Sequence, residues 1–157
     1  MTEKEVNLLI RQGMYEYWNE LWKQEDTCRQ TKHFFPVLRP VFSNQVVNSN
    51  RRDYSALVQV ITGHNYMARH QYIIDTKKRN KGLIIGRPPT CTLCKQGEQS
   101  SQHILGECGA LSQLRFKHFN TYYLTPPFVN LKRYALLGFL KESHIAELQF
   151  FMEEEQM

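Results

Sequence analysis

The sequence predicts a mainly α-helical domain with a small cysteine knuckle in its second half. Three observations predict it. Apolar residues recur three and four apart, the period of one helix face, through several stretches of the 157-residue chain. Helix-starting and helix-stopping residues bracket those stretches, notably Thr2 with Glu5, Asn50, and Gly63. Three of the four cysteines fall within eighteen residues, beside a histidine.

The elements follow in order. Thr2-x-x-Glu5 fits a capping box, in which each side chain satisfies the other residue's free backbone N–H. Val6, Ile10, Met14, Trp18, Leu21 and Trp22 then recur at helical spacing, so a first helix is expected from about residue 3 to 25. Its Trp and Tyr stripe is expected to face the core rather than to stack on bases. Gly13 weakens this helix by about 1 kcal/mol relative to Ala without breaking it. Pro36 and Pro40 forbid a long helix next, and Phe34, Phe35, Val37, Val41 and Phe42 predict an extended segment held by aromatic anchors. Ser49 or Asn50 caps a second helix whose apolar face is Tyr54, Leu57, Val58 and Ile61, and Gly63 ends it in left-handed geometry.

A short third helix is expected over about 66–74, with Tyr66, Met67, His70 and Ile73/Ile74 inward. Lys77, Lys78, Arg79 and Lys81 read as a basic connector, and Leu83-Ile84-Ile85 as a short extended piece. Gly86-Arg87-Pro88-Pro89 turns the chain into the knuckle. Ser100 or Ser101 starts a short helix that carries His103, with Cys108 near its end. Residues 110–120 read as a helix with Leu111, Leu114 and Phe119 inward. Thr125-Pro126 resembles an N-cap followed by a first-turn proline, and Leu131 to Leu140 reads as helix. Ser143 can cap a last helix holding Ile145, Leu148 and Phe151. The expected division is 1–82 for an N-terminal helical part, 83–120 for the knuckle and 121–157 for C-terminal helices, together in one compact domain.

Cys91, Cys94, His103 and Cys108 read C-x2-C-x8-H-x4-C. Two thiolates from a short knuckle can grip one side of an ion, and an imidazole with a third thiolate can close the other side. Four N/S ligands at such spacing are the donor set of one structural zinc ion in a closed tetrahedral site. A catalytic zinc keeps a position for water, which four strong ligands fill. Cys28 is a distant substitute ligand, better read as a small buried hydrophobe. His64 and His70, six residues apart, are better read as hydrogen-bonded packing residues than as metal or proton-transfer groups. No nucleophile–base pair at motif spacing and no phosphate-cradling glycine loop is present, so no enzymatic activity is expected.

The net charge of +5 is uneven. Residues 1–50 balance six Lys/Arg against six Asp/Glu. Residues 51–95 hold nine Lys/Arg against two Asp, and residues 96–157 hold five against seven Glu. The excess therefore leads directly into the knuckle, as a phosphate-binding surface would. The candidate nucleic-acid contacts are Arg51, Arg52, Lys77, Lys78, Arg79, Lys81, Arg87 and Lys95, with Tyr66 and Tyr72 as candidate stacking partners and Arg29 and Lys32 as weaker cations. No apolar run approaches the roughly 18 residues that cross a bilayer. The opening Met1-Thr2-Glu3-Lys4-Glu5 does not read as a secretory signal. Unpaired cysteines point to a reducing compartment, nucleus or cytoplasm.

These residues also carry a resemblance. Thr27-Cys28-Arg29-Gln30-Thr31-Lys32 with Phe34-Phe35-Pro36, Leu57 through Thr62-Gly63-His64 and then His70, and the block Cys91-x2-Cys94, His103-Ile104-Leu105-x-Glu107-Cys108 and Arg115 stand in a familiar order. Together with the Trp18/Trp22 helix, they resemble the region that follows the ribonuclease H domain in non-LTR retrotransposon polyproteins, over about residues 15 to 116. The resemblance implies a zinc-knuckle region that helps to bind template RNA or target DNA. Gly109 stands where members often carry Pro. No reverse transcriptase, endonuclease or ribonuclease H carboxylate set accompanies it, and a host protein derived from such an element also fits. The expected function is thus a non-catalytic module for RNA or single-stranded DNA, with structural zinc and no small-molecule substrate or membrane. The alternative is a zinc-stabilised protein-interaction module. A hydrolase built on the histidines is the third reading.

Overall fold

A computed structural model describes residues 1–38, 50–79 and 88–145, the side chain of Arg79 excepted. The described chain is mainly helical. Its helices are α1 (Glu3–Gln24), α2 (Arg29–Phe34), α3 (Arg51–Thr62), α4 (Ala68–Arg79), α5 (Ser112–Phe119) and α6 (Arg133–Glu142). Between α4 and α5 lie the cysteine knuckle, a π-helical turn at His103–Glu107 and a 3-10 turn at Gly109–Leu111. The only β pairing among the described residues is the single antiparallel bridge between Thr90 and Glu98. None of the described helices is long and apolar enough to cross a membrane.

Local chemistry sets the helix ends. The Thr2 hydroxyl accepts from the Glu5 N–H while the Glu5 carboxylate accepts from the Thr2 N–H, so the capping box closes. The Asn50 side chain accepts from the Asp53 N–H at 2.8 Å and starts α3. Gly63 ends α3 at φ +76°, the left-handed region open to glycine. The short α2 was not expected. It fits because it stops at Phe34, two residues before Pro36. The Lys77-Lys78-Arg79 run, expected in a connector, instead forms the last turn of α4.

Other expectations also shift. Thr125 caps nothing, and α6 starts only after Lys132. Ser143 closes α6, its hydroxyl donating to the Leu140 carbonyl. On α3 the buried face is Ala56, Leu57 and Val60, while Tyr54 and Val58 are exposed. The expected extended pieces at Val41–Phe42 and Leu83–Ile85, Ser49 as a cap, and the helix through Leu148 and Phe151 lie outside the described residues.

One cluster of buried apolar side chains runs from Phe34 through Val60, Met67, Ile104 and Leu105 to Phe139 and Ile145. It joins α2, α3, the π-turn and α6. Phe34 and Phe128 meet at 5.1 Å, and Phe119 and Phe139 at 5.0 Å, so rings from distant parts of the chain fill the centre. Gly138 on α6 allows a close approach to α5, because a Cβ there would lie 2.7 Å from the His118 ring.

The first helix corrects a core expectation. None of its residues is buried. Ile10, Met14, Trp18 and Leu21 are all exposed. The helix is tethered through its last turns, where the Trp22 indole donates to the Phe35 carbonyl at 2.7 Å and Asn19 exchanges two hydrogen bonds with the Leu38 backbone. Trp22, at one edge of the apolar stripe, is half-buried by this tether, while the rest of the stripe from Ile10 to Leu21 stays exposed.

Candidate metal centre

The knuckle is built by backbone hydrogen bonds. The Cys91 N–H donates to the Gly97 carbonyl at 3.0 Å, and the Lys95 N–H donates to the Cys91 carbonyl at 3.0 Å. Lys95 and Gly97 both take left-handed backbone, at φ 58° and 63°, which folds Cys91 and Cys94 onto one side. The Gln96 N–H points at the Cys94 sulfur, 3.4 Å away.

The opposite arm needs two side chains five residues apart to converge. On an ordinary α-helix, residues i and i+5 diverge by about 140°. Here the Cys108 N–H donates to the His103 carbonyl at 2.7 Å, an i+5 to i bond. The wider π-turn swings Cys108 back beside His103. The Ser100 hydroxyl accepts from the His103 N–H at 3.1 Å and starts this turn, as expected for Ser100 or Ser101.

The four candidate ligands come together. Their ligand atoms all lie within 4.8 Å of one another. Cys91 and Cys108 sulfurs are 3.9 Å apart, and the Cys94 sulfur is 3.3 Å from His103 Nε2. A tetrahedral ion bound at about 2.3 Å from each sulfur requires ligand atoms about 3.8 Å apart. The cluster fits that cage and could hold a metal ion. No other group of three or more candidate ligands stands among the described residues.

The surroundings suit ligation. Cys91 and Cys108 have no exposed surface, and His103 is buried. His103 offers Nε2 to the sulfurs, while its Nδ1 faces the Glu107 carboxylate at 3.8 Å. A carboxylate on that side favours the Nδ1–H tautomer and leaves Nε2 free to ligate. Gly97 lets the knuckle lie against this ring, since a Cβ would sit 3.3 Å from two ring atoms. Burial, and then the neighbouring Cys91, push the Cys108 thiol up to about 12. Burial also raises Cys94, but hydrogen bonds from Gln96, Cys91 and Cys108 bring it below the ordinary thiol range. A cation that displaces the thiol protons relieves this crowding.

A polar network ties the knuckle to α4. Gln99 is fully buried; its side-chain oxygen accepts from the Ala68 N–H at 3.2 Å and its carbonyl from the Arg69 N–H at 3.2 Å. Its amide donates to Thr92 at 2.9 Å. Arg69 pairs with Glu98 at 2.7 Å, and Asn65 donates to Ser101 at 2.9 Å. The first N–H groups of α4 are therefore satisfied by the knuckle itself.

The basic candidates are spread over three elements. Arg51 is exposed in the first turn of α3, Lys77 and Lys78 in the last turn of α4, and Lys95 on the knuckle. None of these four makes an ion pair among the described residues. Arg52 is half-buried and engaged. Arg79 ends α4, while Lys81 and Arg87 lie outside the described residues. Tyr66, expected inward, is exposed, and Tyr72 is half-buried. Lys32 stands over the Trp22 ring, and the Arg29 guanidinium donates to the Asp26 carbonyl.

His64 and His70 pack edge to face, their centroids 5.2 Å apart. Burial, then His64 and Lys77, lower the His70 pKa, which favours a neutral ring. Cys28, expected buried, is exposed at the start of α2 and is not part of the cluster. Sequence reasoning placed Arg115 in the block that carries the resemblance without giving it a structural role, and did not single out Gln99 or Gly97. For Arg115 a signal was present: it stands four residues after Leu111 and four before Phe119, on the apolar face of its helix.

No family model, curated protein or solved structure matches the chain.

Proposed function

We propose that this protein is a non-catalytic nucleic-acid-binding module, for RNA or single-stranded DNA, shaped by one structural zinc ion. The convergence of Cys91, Cys94, His103 and Cys108 carries the reading. Three thiolates and one imidazole form a soft donor set that suits zinc, and four protein ligands fill its tetrahedron. Bound there, zinc cross-links the two arms and leaves no position for a reacting water. Origin in the region after ribonuclease H of a non-LTR retrotransposon polyprotein is part of the same proposal. It rests on the ordered motifs from Trp18 to Arg115.

The chain's own residues connect this centre to phosphate binding. Lys95 sits between Cys94 and the left-handed Gly97, so ligation fixes its position. Through Gln99 and Glu98 the same centre anchors the start of α4, whose last turn presents Lys77 and Lys78. Several cations held on a rigid frame give sequence-independent affinity by releasing counterions.

The test is a salt titration of binding to a labelled single-stranded RNA and its DNA equivalent. About four phosphate contacts predict a slope of log K on log salt near −3. Charge reversal of Lys77, Lys78 and Lys95 to Glu should remove binding and leave the fold intact. A flat salt dependence would sink this reading.

One observation favours a second reading, a protein-interaction module. The exposed apolar stripe of α1, including Ile10, Met14, Tyr17 and Leu21, is the kind of face a partner helix covers. Under that reading the charge reversal leaves partner capture unchanged, whereas Met14→Lys with Leu21→Lys abolishes it.

A further inference from the structure

Arg115 is one of the largest fully buried side chains in the molecule. A buried guanidinium is costly unless its donors are filled and its charge is balanced. Each of its three nitrogens meets a backbone carbonyl. Nε donates to Tyr122 at 2.8 Å, Nη1 to Ile104 at 3.1 Å, and Nη2 makes a short bond to Cys108. Two of those carbonyls belong to the π-turn arm of the metal centre. Among the described residues Arg115 makes no ion pair; its guanidinium carbon lies 6.0 Å from the Tyr123 ring centroid, and Glu107 is exposed.

The charge therefore needs another anion. Resting on the zinc reading above, the arithmetic is direct: three thiolates, one neutral imidazole and a divalent cation leave one negative charge. That charge is delocalised over the sulfurs, one of which belongs to the residue whose carbonyl Arg115 holds. The Nη2 bond to Cys108 keeps the guanidinium beside that charge, so each stabilises the other.

We propose that Arg115 is the counter-ion and positioning residue of the metal centre. Its guanidinium neutralises the net charge of a three-thiolate site and clamps the Ile104 and Cys108 carbonyls in the register that ligation requires. The planar fork matters as much as the charge, because three separate carbonyls are held at once. In physical terms, α5 is part of the metal site although it supplies no ligand.

The test is a charge cycle on the full chain. Zinc affinity is measured by competition with a chromophoric chelator. The cobalt form is measured by its ligand-field absorption, which reports tetrahedral geometry independently of stability. Arg115→Met should weaken zinc by about 10- to 100-fold, the usual effect of losing an outer-shell partner. Cys94→His converts the site to two thiolates and two imidazoles, with no net charge, on the least buried of the three cysteine ligands. In that background Arg115→Met should weaken zinc several-fold less.

Equal penalties in the two backgrounds, or no penalty in either, would overturn the proposal. Arg115→Lys restores the charge without the fork and should recover part of the affinity while leaving the cobalt spectrum broadened. If Arg115→Met does not fold, the lysine variant decides: folded protein with zinc within about 10-fold of wild type supports the counter-ion role, and a larger loss overturns it. Failure of wild type itself to bind zinc would instead refute the metal reading beneath.

Discussion

The knuckle arm and the first helix treat the same kinds of residue in opposite ways. Ile104 is completely buried, whereas Ile10 is 55% exposed. Gly106 is pressed against the Leu124 backbone, whereas Gly13 has nothing near it. Residues 88–123 close on themselves through ligand geometry, the Gln99 network and the Arg115 clamp. Among the described residues, helix α1 is held by its own capping box and by a tether at Trp22 and Asn19. Amphipathic periodicity thus says that a face exists. Convergent ligands say what covers it.

Metal removal should produce the largest contrast. On the zinc proposal, such a site contributes about 10 kcal/mol or more of apparent folding energy. Chelation, or Cys108→Ser, should make amide hydrogens in residues 88–123 exchange at unfolded rates, with the start of α4 following because Gln99 loses its frame. Exchange in the first turns of α1 should not change. Protection that survives chelation in the knuckle would break the comparison.

The isoleucine pair sharpens it. Ile104→Ala should cost about 2–5 kcal/mol by chemical denaturation, the range for emptying a packed site. Ile10→Ala should stay within about 0.5 kcal/mol. The glycine pair should differ in sign. A Cβ at Gly106 would meet the Leu124 carbonyl oxygen at 2.1 Å, and backbone cannot move aside cheaply. Gly106→Ala should therefore cost about 1–3 kcal/mol. Gly13→Ala should add up to about 1 kcal/mol by removing a flexible residue from a helix interior. A stabilising Gly106→Ala would contradict the packing described.

The smallest effect is a pH dependence. The His70 pKa is lowered in the fold, so the unfolded chain binds its proton more readily. Stability contributed by neutral His70 is then present above its ordinary value of 6.5 and declines as pH falls through the lowered one. His70→Gln should flatten that decline in thermal melts between pH 7 and pH 5, and an unchanged slope would count against it.

What could be read from residues alone follows the same divide. The capping box, Asn50 and Gly63 are signals complete within a few residues, and the ligand set is complete within eighteen; the structure agrees with them. The burial of α1 could not be read, because periodicity carries no information on a partner. Helix α2 was hidden by Pro36, which limits a helix without forbidding six residues before it. The basic run read as a connector because Lys and Arg are common in both loops and helix ends. The structure places it in the last turn of α4, a helix whose first N–H groups meet the knuckle. The role of Arg115 depends on which carbonyls its long side chain reaches, and these come from residues seven to eleven positions away.

The most direct measurement is metal stoichiometry in the folded protein. Native mass spectrometry of the purified chain, paired with thiol titration under native conditions, should find one zinc per chain, only Cys28 reacting freely, and no zinc in Cys108→Ser. A well-folded wild-type chain with no bound metal and all four thiols reactive would contradict the account.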